Sequence, residues 1–196
     1  INATGAVSLT ITDNSSITMK NVDMGIGMGG GSLFISGSRL AIENADESGV
    51  SCENMEIRNG SEVSAIANSG VALGVDANIT ISNSTVHAES TDTNSILCND
   101  LAVTDSSKVT AKGFHPAFYV VKDTVIKDSV IEAESKNDVG MYCKEGNLEI
   151  EGSEVKSTSN QSNRGGILVK GNLTMSNSNV ISPGGSGSSG IHADDD

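Results

Sequence analysis

The chain has 196 residues, a formal net charge of −13, 22 Gly, no Trp and only 3% aromatic residues. Because 25 acidic residues outnumber 12 basic ones, the charge argues against binding to nucleic acid or to an anionic membrane surface. No apolar run approaches the roughly 18 residues that cross a bilayer, so we expect no membrane insertion. The apolar content of 36% is low for a thick core, and it favours a fold built on a thin column of small aliphatic side chains.

Pairs of apolar residues separated by one position recur through the whole chain. A spacing of two places both side chains on one face of a β-strand, so each pair predicts a short strand. Repeats at a nearly fixed period indicate a stacked architecture. Eight such pairs begin the repeating units, at steps of 22 to 25 residues: Leu9/Ile11, Leu33/Ile35, Met55/Ile57, Ile79/Ile81, Leu101/Val103, Thr124/Ile126, Leu148/Ile150 and Leu173/Met175.

Each unit continues with a turn and two further pairs. The turn is rich in Asn, Asp or Gly and then carries a Ser, at Ser16, Ser38, Ser61, Ser84, Ser107, Ser129, Ser153 and Ser178. The second pairs are Ile17/Met19, Leu40/Ile42, Val63/Ala65, Val86/Ala88, Val109/Ala111, Ile131/Ala133, Val155/Ser157 and Val180/Ser182. A polar stretch of variable length leads to the third pairs, which are Ile26/Met28, Val50/Cys52, Val71/Leu73, Ile96/Cys98, Tyr119/Val121, Met141/Cys143, Ile167/Val169 and Ile191/Ala193.

A unit of three short strands cannot bury its apolar face alone, but stacked units bury a continuous core. The sequence therefore predicts an all-β fold, a single-stranded right-handed parallel β-helix of about eight rungs, since parallel crossovers are right-handed. We expect one domain over residues 1–196. The segment 1–5 resembles a third strand, so the chain begins and ends at the same phase of the repeat. This suggests a piece of a longer solenoid, or ends that something else covers.

The three cysteines occupy equivalent inward sites on rungs two, four and six: Cys52, Cys98 and Cys143. Rungs two apart are separated by about 9.6 Å, which is more than the roughly 7 Å that a disulfide spans between Cα atoms. We therefore expect three free thiols that pack as small buried hydrophobes.

Two loops that follow second strands supply oxygen ligands of the kind that calcium prefers. They carry Glu89 and Asp92 on rung four, and Glu134 and Asp138 on rung six. Lys112 lies between them on rung five, which favours ion pairing over a metal site. Calcium is the only cofactor that the sequence suggests. Further pairs between neighbouring rungs are expected at Lys127 with Glu151 and at Glu132 with Lys156.

The segment 114–119 holds three of the five Phe and Tyr residues of the chain. An aromatic cluster can stack on a sugar ring, which makes Phe114, His115, Phe118 and Tyr142 candidate ligand-binding residues. The alternative is that Phe118 fills a local widening of the corner and binds nothing.

An apolar stripe is predicted on the outward side of the third strands, at Leu97, Val120, Tyr142 and Leu168. A solenoid does not need apolar residues on its outer surface, and a contiguous apolar stripe usually marks an interface. A partner chain, a neighbouring domain or a second copy of this chain would each fit, and flanking Ser and Ala residues could instead dilute the stripe.

The repeat pattern resembles that of the pectate-lyase-like superfamily across essentially the whole chain. It is most similar in style to Gly-, Ser- and Asn-rich secreted β-helix domains of anaerobic bacteria, some of which bind acidic plant polysaccharide with calcium. The resemblance implies a bacterial protein that is extracellular or on the cell surface. It carries no catalytic motif, and the three Arg residues, Arg39, Arg58 and Arg164, fall at separate places in the repeat.

Two functions remain as expectations. The first is a non-catalytic surface module, adhesin-like or polysaccharide-binding, because the sequence shows no convergent set of acid and base residues. The second is a polysaccharide lyase or glycoside hydrolase that acts on acidic plant or host glycans, which follows from fold analogy alone.

Overall fold

A computed structural model describes residues 1–161, 164–184 and 188–194. These residues form three parallel sheets of eight strands each, and none of them forms a helix. Every strand pairs with the equivalent strand of the units before and after it. The chain is therefore a parallel β-solenoid of about eight rungs, as the repeat predicts. Its right-handed sense stays a prediction.

Each rung contributes one strand to each sheet. The first sheet comprises β1 (Ser8–Ile11), β4 (Ser32–Ser36), β7 (Asn54–Arg58), β10 (Asn78–Ser82), β13 (Asp100–Thr104), β16 (Thr124–Lys127), β19 (Leu148–Glu151) and β22 (Leu173–Ser176). The second comprises β2 (Ser16–Val22), β5 (Arg39–Ala45), β8 (Glu62–Ala67), β11 (Thr85–Ser90), β14 (Lys108–Gly113), β17 (Val130–Ser135), β20 (Glu154–Ser159) and β23 (Asn179–Ile181). The third comprises β3 (Ile26–Gly27), β6 (Val50–Cys52), β9 (Leu73–Val75), β12 (Ile96–Cys98), β15 (Phe118–Val120), β18 (Met141–Cys143), β21 (Ile167–Val169) and β24 (Ile191–Ala193).

The core is a column of inward side chains from all three sheets. In the first two sheets the strand pairings match the predicted pairs, so that Leu33 stacks on Met55, and Leu40 on Val63. These inward residues are almost fully buried in the middle rungs. Burial of apolar surface between stacked rungs is the main stabilising contribution.

The third sheet departs from the predicted register on rung three. Leu73 and Val75 point inward there, whereas the sequence pattern favoured Val71 and Leu73. Apolar residues stand at all three positions, so an alternating pattern fits either choice. The stacking of Leu73 on Val50 decides it, and Val71 lies half-buried in the preceding corner.

A ladder of Ser side chains forms the corner between the first and second sheets. The backbone N–H of Ser38 donates to the Ser61 hydroxyl at 3.4 Å, and the N–H of Ser61 donates to Ser84 at 3.2 Å. On rung one the ladder residue is Ser15, not the expected Ser16, because its N–H donates to Ser38 Oγ at 3.1 Å. These hydroxyls satisfy backbone groups of the tight turn, which is a structural role.

A second ladder, which the repeat search missed, consists of Asn and Asp at the corner between the third and first sheets. The backbone N–H of Asn147 donates to Asp123 Oδ1 at 2.8 Å, and that of Asn172 donates to Asn147 Oδ1 at 3.0 Å. Its sequence signal is an Asn or Asp directly before the first apolar pair, from Asn54 on rung two to Asn172 on rung eight, with Asn78, Asp100, Asp123 and Asn147 between them.

The cysteines are free and buried, as expected. They alternate with valine in one inward column, since Cys52 stacks on Val75 and Cys143 on Val169. Burial raises the pKa of Cys52 to about 12 and that of Cys143 to about 11. The pKa of Cys98 is also raised, chiefly by burial. Thiols held in this form are poor nucleophiles and poor metal ligands.

Candidate functional site

The outer surface of the third sheet is the most unusual surface of the solenoid. Its central column, which points away from the core, is small on rungs two and three and apolar on the next four. We call the outward residues of rungs two to seven the third face. Its central column is Ser51, Gly74, Leu97, Tyr119, Tyr142 and Leu168.

The centre of the third face holds both tyrosines of the chain. Tyr119 and Tyr142 stack on adjacent rungs, with ring centroids 5.3 Å apart and planes at 90°. This edge-to-face contact is a favourable aromatic geometry. Both side chains are half-buried, and so are Leu97 and Leu168 on either side of them. The result is an open aromatic and aliphatic platform that spans four rungs.

The predicted stripe was wrong at one position. Val120 is fully buried, and Tyr119 takes the outward place on rung five. The predicted inward pair of Tyr119 and Val121 is shifted by one residue, because the strand on this rung starts at Phe118. A shift of one residue exchanges the two faces of a strand. Leu97, Tyr142 and Leu168 lie where the sequence placed them.

The predicted aromatic cluster divides into three parts. Phe118 has no exposed surface and packs in the core, so it cannot stack on a ligand. Phe114 and His115 lie in the corner that follows the second sheet, with rings 5.3 Å apart at 86°. Tyr142 belongs to the other ring pair, on the third face.

The corner segment that carries Phe114 and His115 is held by its backbone. The carbonyl oxygens of Phe114 and His115 both accept hydrogen bonds from the Ser135 hydroxyl, at 3.3 and 2.9 Å. Phe114 is 36% exposed. These two rings form a small separate patch, which stays a candidate for ligand contact.

A second column of the third face runs along its edge, directly after the last residue of each strand. It carries acids on rungs two and three and bases on rungs six and seven. Neutral side chains lie between them. From rung two to rung seven the residues are Glu53, Asp76, Asn99, Val121, Lys144 and Lys170. We call this the edge column.

The bases of the edge column have neighbours on their own chain. Lys144 Nζ lies 3.2 Å from Glu145, and the hydrogen bond to Glu145, with a smaller effect of Tyr119, raises the pKa of Lys144. Tyr142 contributes in the same direction. Lys170 Nζ lies 2.6 Å from Asp194, whose pKa it lowers.

The acids of the edge column differ from its bases. Within residues 1–161, 164–184 and 188–194, neither Glu53 nor Asp76 lies within 4.0 Å of a basic group. Both side chains are exposed. Asp76 lines a shallow depression on rungs two to five, which includes Gly74 and has walls formed by Val71, Leu97 and Val121.

The outer surface of the second sheet, which we call the second face, carries charges that meet between adjacent rungs. Lys20 lies 2.7 Å from Glu43, and Lys108 lies 3.7 Å from Glu132. The predicted neighbour of Glu132, Lys156, is its strand partner. On the first sheet, the expected pair of Lys127 and Glu151 is confirmed at 3.4 Å, and Lys127 also lies 2.9 Å from Glu149.

The four candidate calcium ligands stay apart. Lys112 lies between Glu89 and Glu134 in the strand register, as predicted. Asp138 accepts the backbone N–H of Val139 and lies 3.7 Å from Arg164. The fourth candidate, Asp92, is exposed in its corner loop. No group of three or more His, Cys, Asp or Glu in the described ranges is arranged to hold a metal ion.

No family model matches this chain, and no curated protein or solved structure matches it either. In the part of the chain that the structure describes, no helix is long and apolar enough to cross a membrane. The class of protein that the fold defines is a parallel β-solenoid, and any function has to be argued from its surfaces.

Proposed function

We propose that this protein is a non-catalytic, polysaccharide-binding β-solenoid module that acts outside the cell or on its surface and holds a glycan chain against the third face. The observation that carries the proposal is the outward pair of Tyr119 and Tyr142 on adjacent rungs. The resemblance of the repeat to secreted β-helix domains of anaerobic bacteria agrees with this proposal.

The chemistry of the platform suits a sugar. The ring faces of a pyranose carry C–H groups that pack on aromatic and aliphatic side chains, while its hydroxyls reach polar groups at the rim. Rungs about 4.8 Å apart repeat at nearly the length of one sugar residue. The core of the solenoid does not need either tyrosine, since both point away from it.

The charge beside the tyrosines favours an acidic glycan. Lys144 is exposed directly after the strand that carries Tyr142, and Lys122 is exposed on the rung below. An ammonium group next to a stacking platform would bind the carboxylate of a uronic acid and orient the sugar ring. The acidic remainder of the chain would repel the same polymer, which would direct it to this surface.

An enzymatic alternative would use the second face instead. A shallow depression there is lined by Glu132, Glu134, Lys112 and Lys156. Glu132 and Glu134 point to the same side of one strand, which is the minimum that a hydrolase requires. Glu132 already lies 3.7 Å from Lys108 and Glu134 accepts from Asn160 at 3.3 Å, so the arrangement also fits a solvated ionic surface.

Affinity gel electrophoresis in polygalacturonate tests the proposal. We expect the protein to be retarded, and Tyr142→Ser or Tyr119→Ser to weaken retardation about fivefold, because each stacked ring contributes on the order of 1 kcal/mol. Phe34→Ser is the matched control, since Phe34 is an outward aromatic residue of the first sheet. Parallel gels with calcium and with a chelator test the calcium expectation.

Two results would contradict the proposal. One is mobility that is the same in polygalacturonate, in neutral xylan and in an empty gel. The other is retardation that Phe34→Ser abolishes and both tyrosine variants leave intact. Release of unsaturated or reducing sugars that is lost in Glu134→Gln would favour the enzymatic alternative.

A further inference from the structure

We propose that the third face also pairs with a second copy of itself, with the two solenoids antiparallel. The two-fold axis of this pair runs parallel to the strands and passes between rungs four and five. Rung two of one copy then faces rung seven of the other, rung three faces rung six, and rung four faces rung five. This inference goes beyond polysaccharide binding and does not depend on it.

The edge column is complementary to itself when it is reversed. Rotation about this axis keeps the column opposite its own copy and inverts its order, so that Asp76 faces Lys144, and Glu53 faces Lys170. Each contact occurs twice in a symmetric pair, which is the rule for such interfaces. Four contacts between opposite charges would therefore form, two at each end of the interface.

The two acids of the edge column differ from its two bases in having no oppositely charged neighbour within 4.0 Å in the described part of the chain. Glu53 and Asp76 have no basic partner among the described residues, whereas Lys20, Arg39 and Lys108 on the second face each lie within 4.0 Å of an acid on the adjacent rung. Lys144 contacts Glu145 in an exposed pair, which contributes little and exchanges easily. Lys170 is half-buried beside Asp194, and a lysine ammonium group can donate to more than one carboxylate. The second copy supplies the partners that Glu53 and Asp76 lack.

The central column is complementary in shape along the same axis. The reversal places Tyr142 opposite Gly74, Tyr119 opposite Leu97, and Leu168 opposite Ser51. The largest side chain therefore meets the smallest residue, and Leu97 packs on a ring. The apolar side chains of the two copies together form one continuous apolar strip along the interface.

Gly74 has no evident reason to be glycine within its own chain. A Cβ atom built there would meet its nearest neighbour, the carbonyl oxygen of Val50, at 3.6 Å, which is ordinary van der Waals contact, and the backbone is not in the left-handed region. By contrast, a Cβ at Gly49 would lie 2.5 Å from the carbonyl oxygen of Ala72. The absent side chain at position 74 is explained if the space receives a tyrosine from the other copy.

A parallel arrangement of the two copies does not fit. A two-fold axis along the solenoid would put equal rungs at the same height, with the acids of both copies at one end and the bases at the other. Asp76 would then lie level with Asp76 of the second copy, and Tyr142 level with Tyr142. The same axis exchanges the two edges of the face, so the two edge columns would lie on opposite sides of the interface and would leave Glu53 and Asp76 without a basic partner. Bulky side chains would meet along the central column, which also disfavours that orientation.

The size of the face predicts a weak pair. Six rungs extend over roughly 24 Å, and a strand with its flanks is roughly 17 Å wide, so each copy would bury on the order of 400 Å². This is roughly 800 Å² in total, which is below the size of standard specific interfaces and in the range of weak, transient contacts. Each copy also carries a net charge of −13, so the copies repel at long range and salt screens attraction and repulsion together. Charge-reversal variants therefore test the pairing better than a change in salt concentration does.

Sedimentation equilibrium over a concentration series tests the pairing, with no glycan present. We expect the wild-type chain to be in a reversible equilibrium between monomer and dimer. Asp76→Lys and Lys144→Asp should each weaken the association about tenfold, and the double variant should restore it to near the wild-type value. Glu154→Lys and Lys156→Asp are the matched controls, because they change the net charge equally on the second face.

Gly74→Leu provides an independent arm. Its side chain would fill the depression that receives the ring, so association should fall about tenfold while circular dichroism and the melting temperature stay at wild-type values. The proposal is overturned if the wild-type chain stays monomeric up to millimolar concentration. It is overturned equally if the single charge variants weaken the association and their combination does not restore it, since the pairing would then follow another axis.

Failure of this inference and failure of the proposed function are distinguishable. A wild-type chain that is retarded by polygalacturonate but never dimerises keeps the polysaccharide site and loses the pairing. A chain that dimerises with the expected charge rescue but ignores all glycans loses only the polysaccharide site. If both hold, the second copy covers the tyrosines, so the polysaccharide should dissociate the dimer.

Discussion

Acidic and basic residues are arranged differently on the second and third faces of this solenoid. On the second face, opposite charges lie on adjacent rungs, as with Lys20 and Glu43 at 2.7 Å. On the third face, acids and bases are separated along the axis by neutral residues, with Asp76 on rung three and Lys144 on rung six. The two surfaces stand on the same repeat and the same spacing, so the fold itself does not require this difference.

The two faces differ in whether their charged side chains find partners of opposite charge within the same chain. On the second face three bases, Lys20, Arg39 and Lys108, lie within 4.0 Å of an acid on the adjacent rung. The third face leaves Glu53 and Asp76 without basic partners among the described residues, and it presents two tyrosines on a hydrophobic platform. An exposed hydrophobic surface of this kind usually marks a site of contact with another molecule.

The largest effect is expected inside the third sheet. Phe118→Ala should lower the free energy of unfolding by about 3–5 kcal/mol, because it removes a fully buried ring. Tyr119→Ala, one residue along the same strand, should cost less than about 1 kcal/mol, because its ring points outward. Urea denaturation of both variants measures the difference. Equal losses would show that Tyr119 is a core residue and that the third face is not a free surface.

Alkaline pH should destabilise the column of thiols behind the third face. A raised pKa in the folded state means that folding favours the protonated thiol, so this contribution is complete below the usual thiol pKa near 9 and is lost as pH rises towards 12 for Cys52 and 11 for Cys143. Between pH 9 and pH 10 the loss is about 1 kcal/mol per thiol. A variant with valine at all three cysteines should lack this loss. An identical pH profile for both chains would contradict the burial of the thiols.

We expect the ladder of Asn and Asp at the corner beside the third face to stabilise the fold and not to bind the glycan. Asn147→Ala removes the acceptor of the Asn172 backbone N–H and should cost about 1–2 kcal/mol. Asn160→Ala is the control, since that amide makes one exposed contact with Glu134. Thermal denaturation compares them, and polygalacturonate retardation should be the same for both. Weakened retardation in Asn147→Ala with unchanged stability would place the corner within the binding surface instead.

The smallest effect is expected on the second face. Lys20→Ala should change the free energy of unfolding by less than about 0.5 kcal/mol, because the ion pair with Glu43 is exposed and screened by salt. It should leave association and glycan binding unchanged. A loss of dimer in Lys20→Ala, measured by sedimentation, would remove the distinction between the two faces.

The sequence predicts most of the fold because the inward columns repeat. The first pairs are confirmed on every rung and the second pairs on rungs one to seven. In most of these pairs a polar residue separates the two inward residues and fixes which side is buried. In the third sheet this signal fails where both sides of a strand are apolar. On rung five, Phe118 and Val120 compete with Tyr119 and Val121, and only the stacking on neighbouring rungs decides between them.

The same ambiguity limited the prediction of the site. The sequence pattern places Leu97, Tyr142 and Leu168 on the outer surface but assigns Tyr119 to the core, so it does not predict the tyrosine pair. The graded charge of the edge column was visible in the sequence as the residue after each third strand. It could not be recognised before the strand ends were known, because a shift of one residue replaces Val121 with Lys122.

Acrylamide quenching of tyrosine fluorescence tests most directly whether the third face is the contact surface. The chain has two Tyr and no Trp, and both tyrosines lie on this face, so the emission reports on it alone. The Stern–Volmer constant should fall when protein concentration rises through the dimerisation range, and also when polygalacturonate is added at low protein concentration. A constant that stays unchanged under both conditions, while the protein associates or binds the glycan, would show that the contacts are made elsewhere on the solenoid.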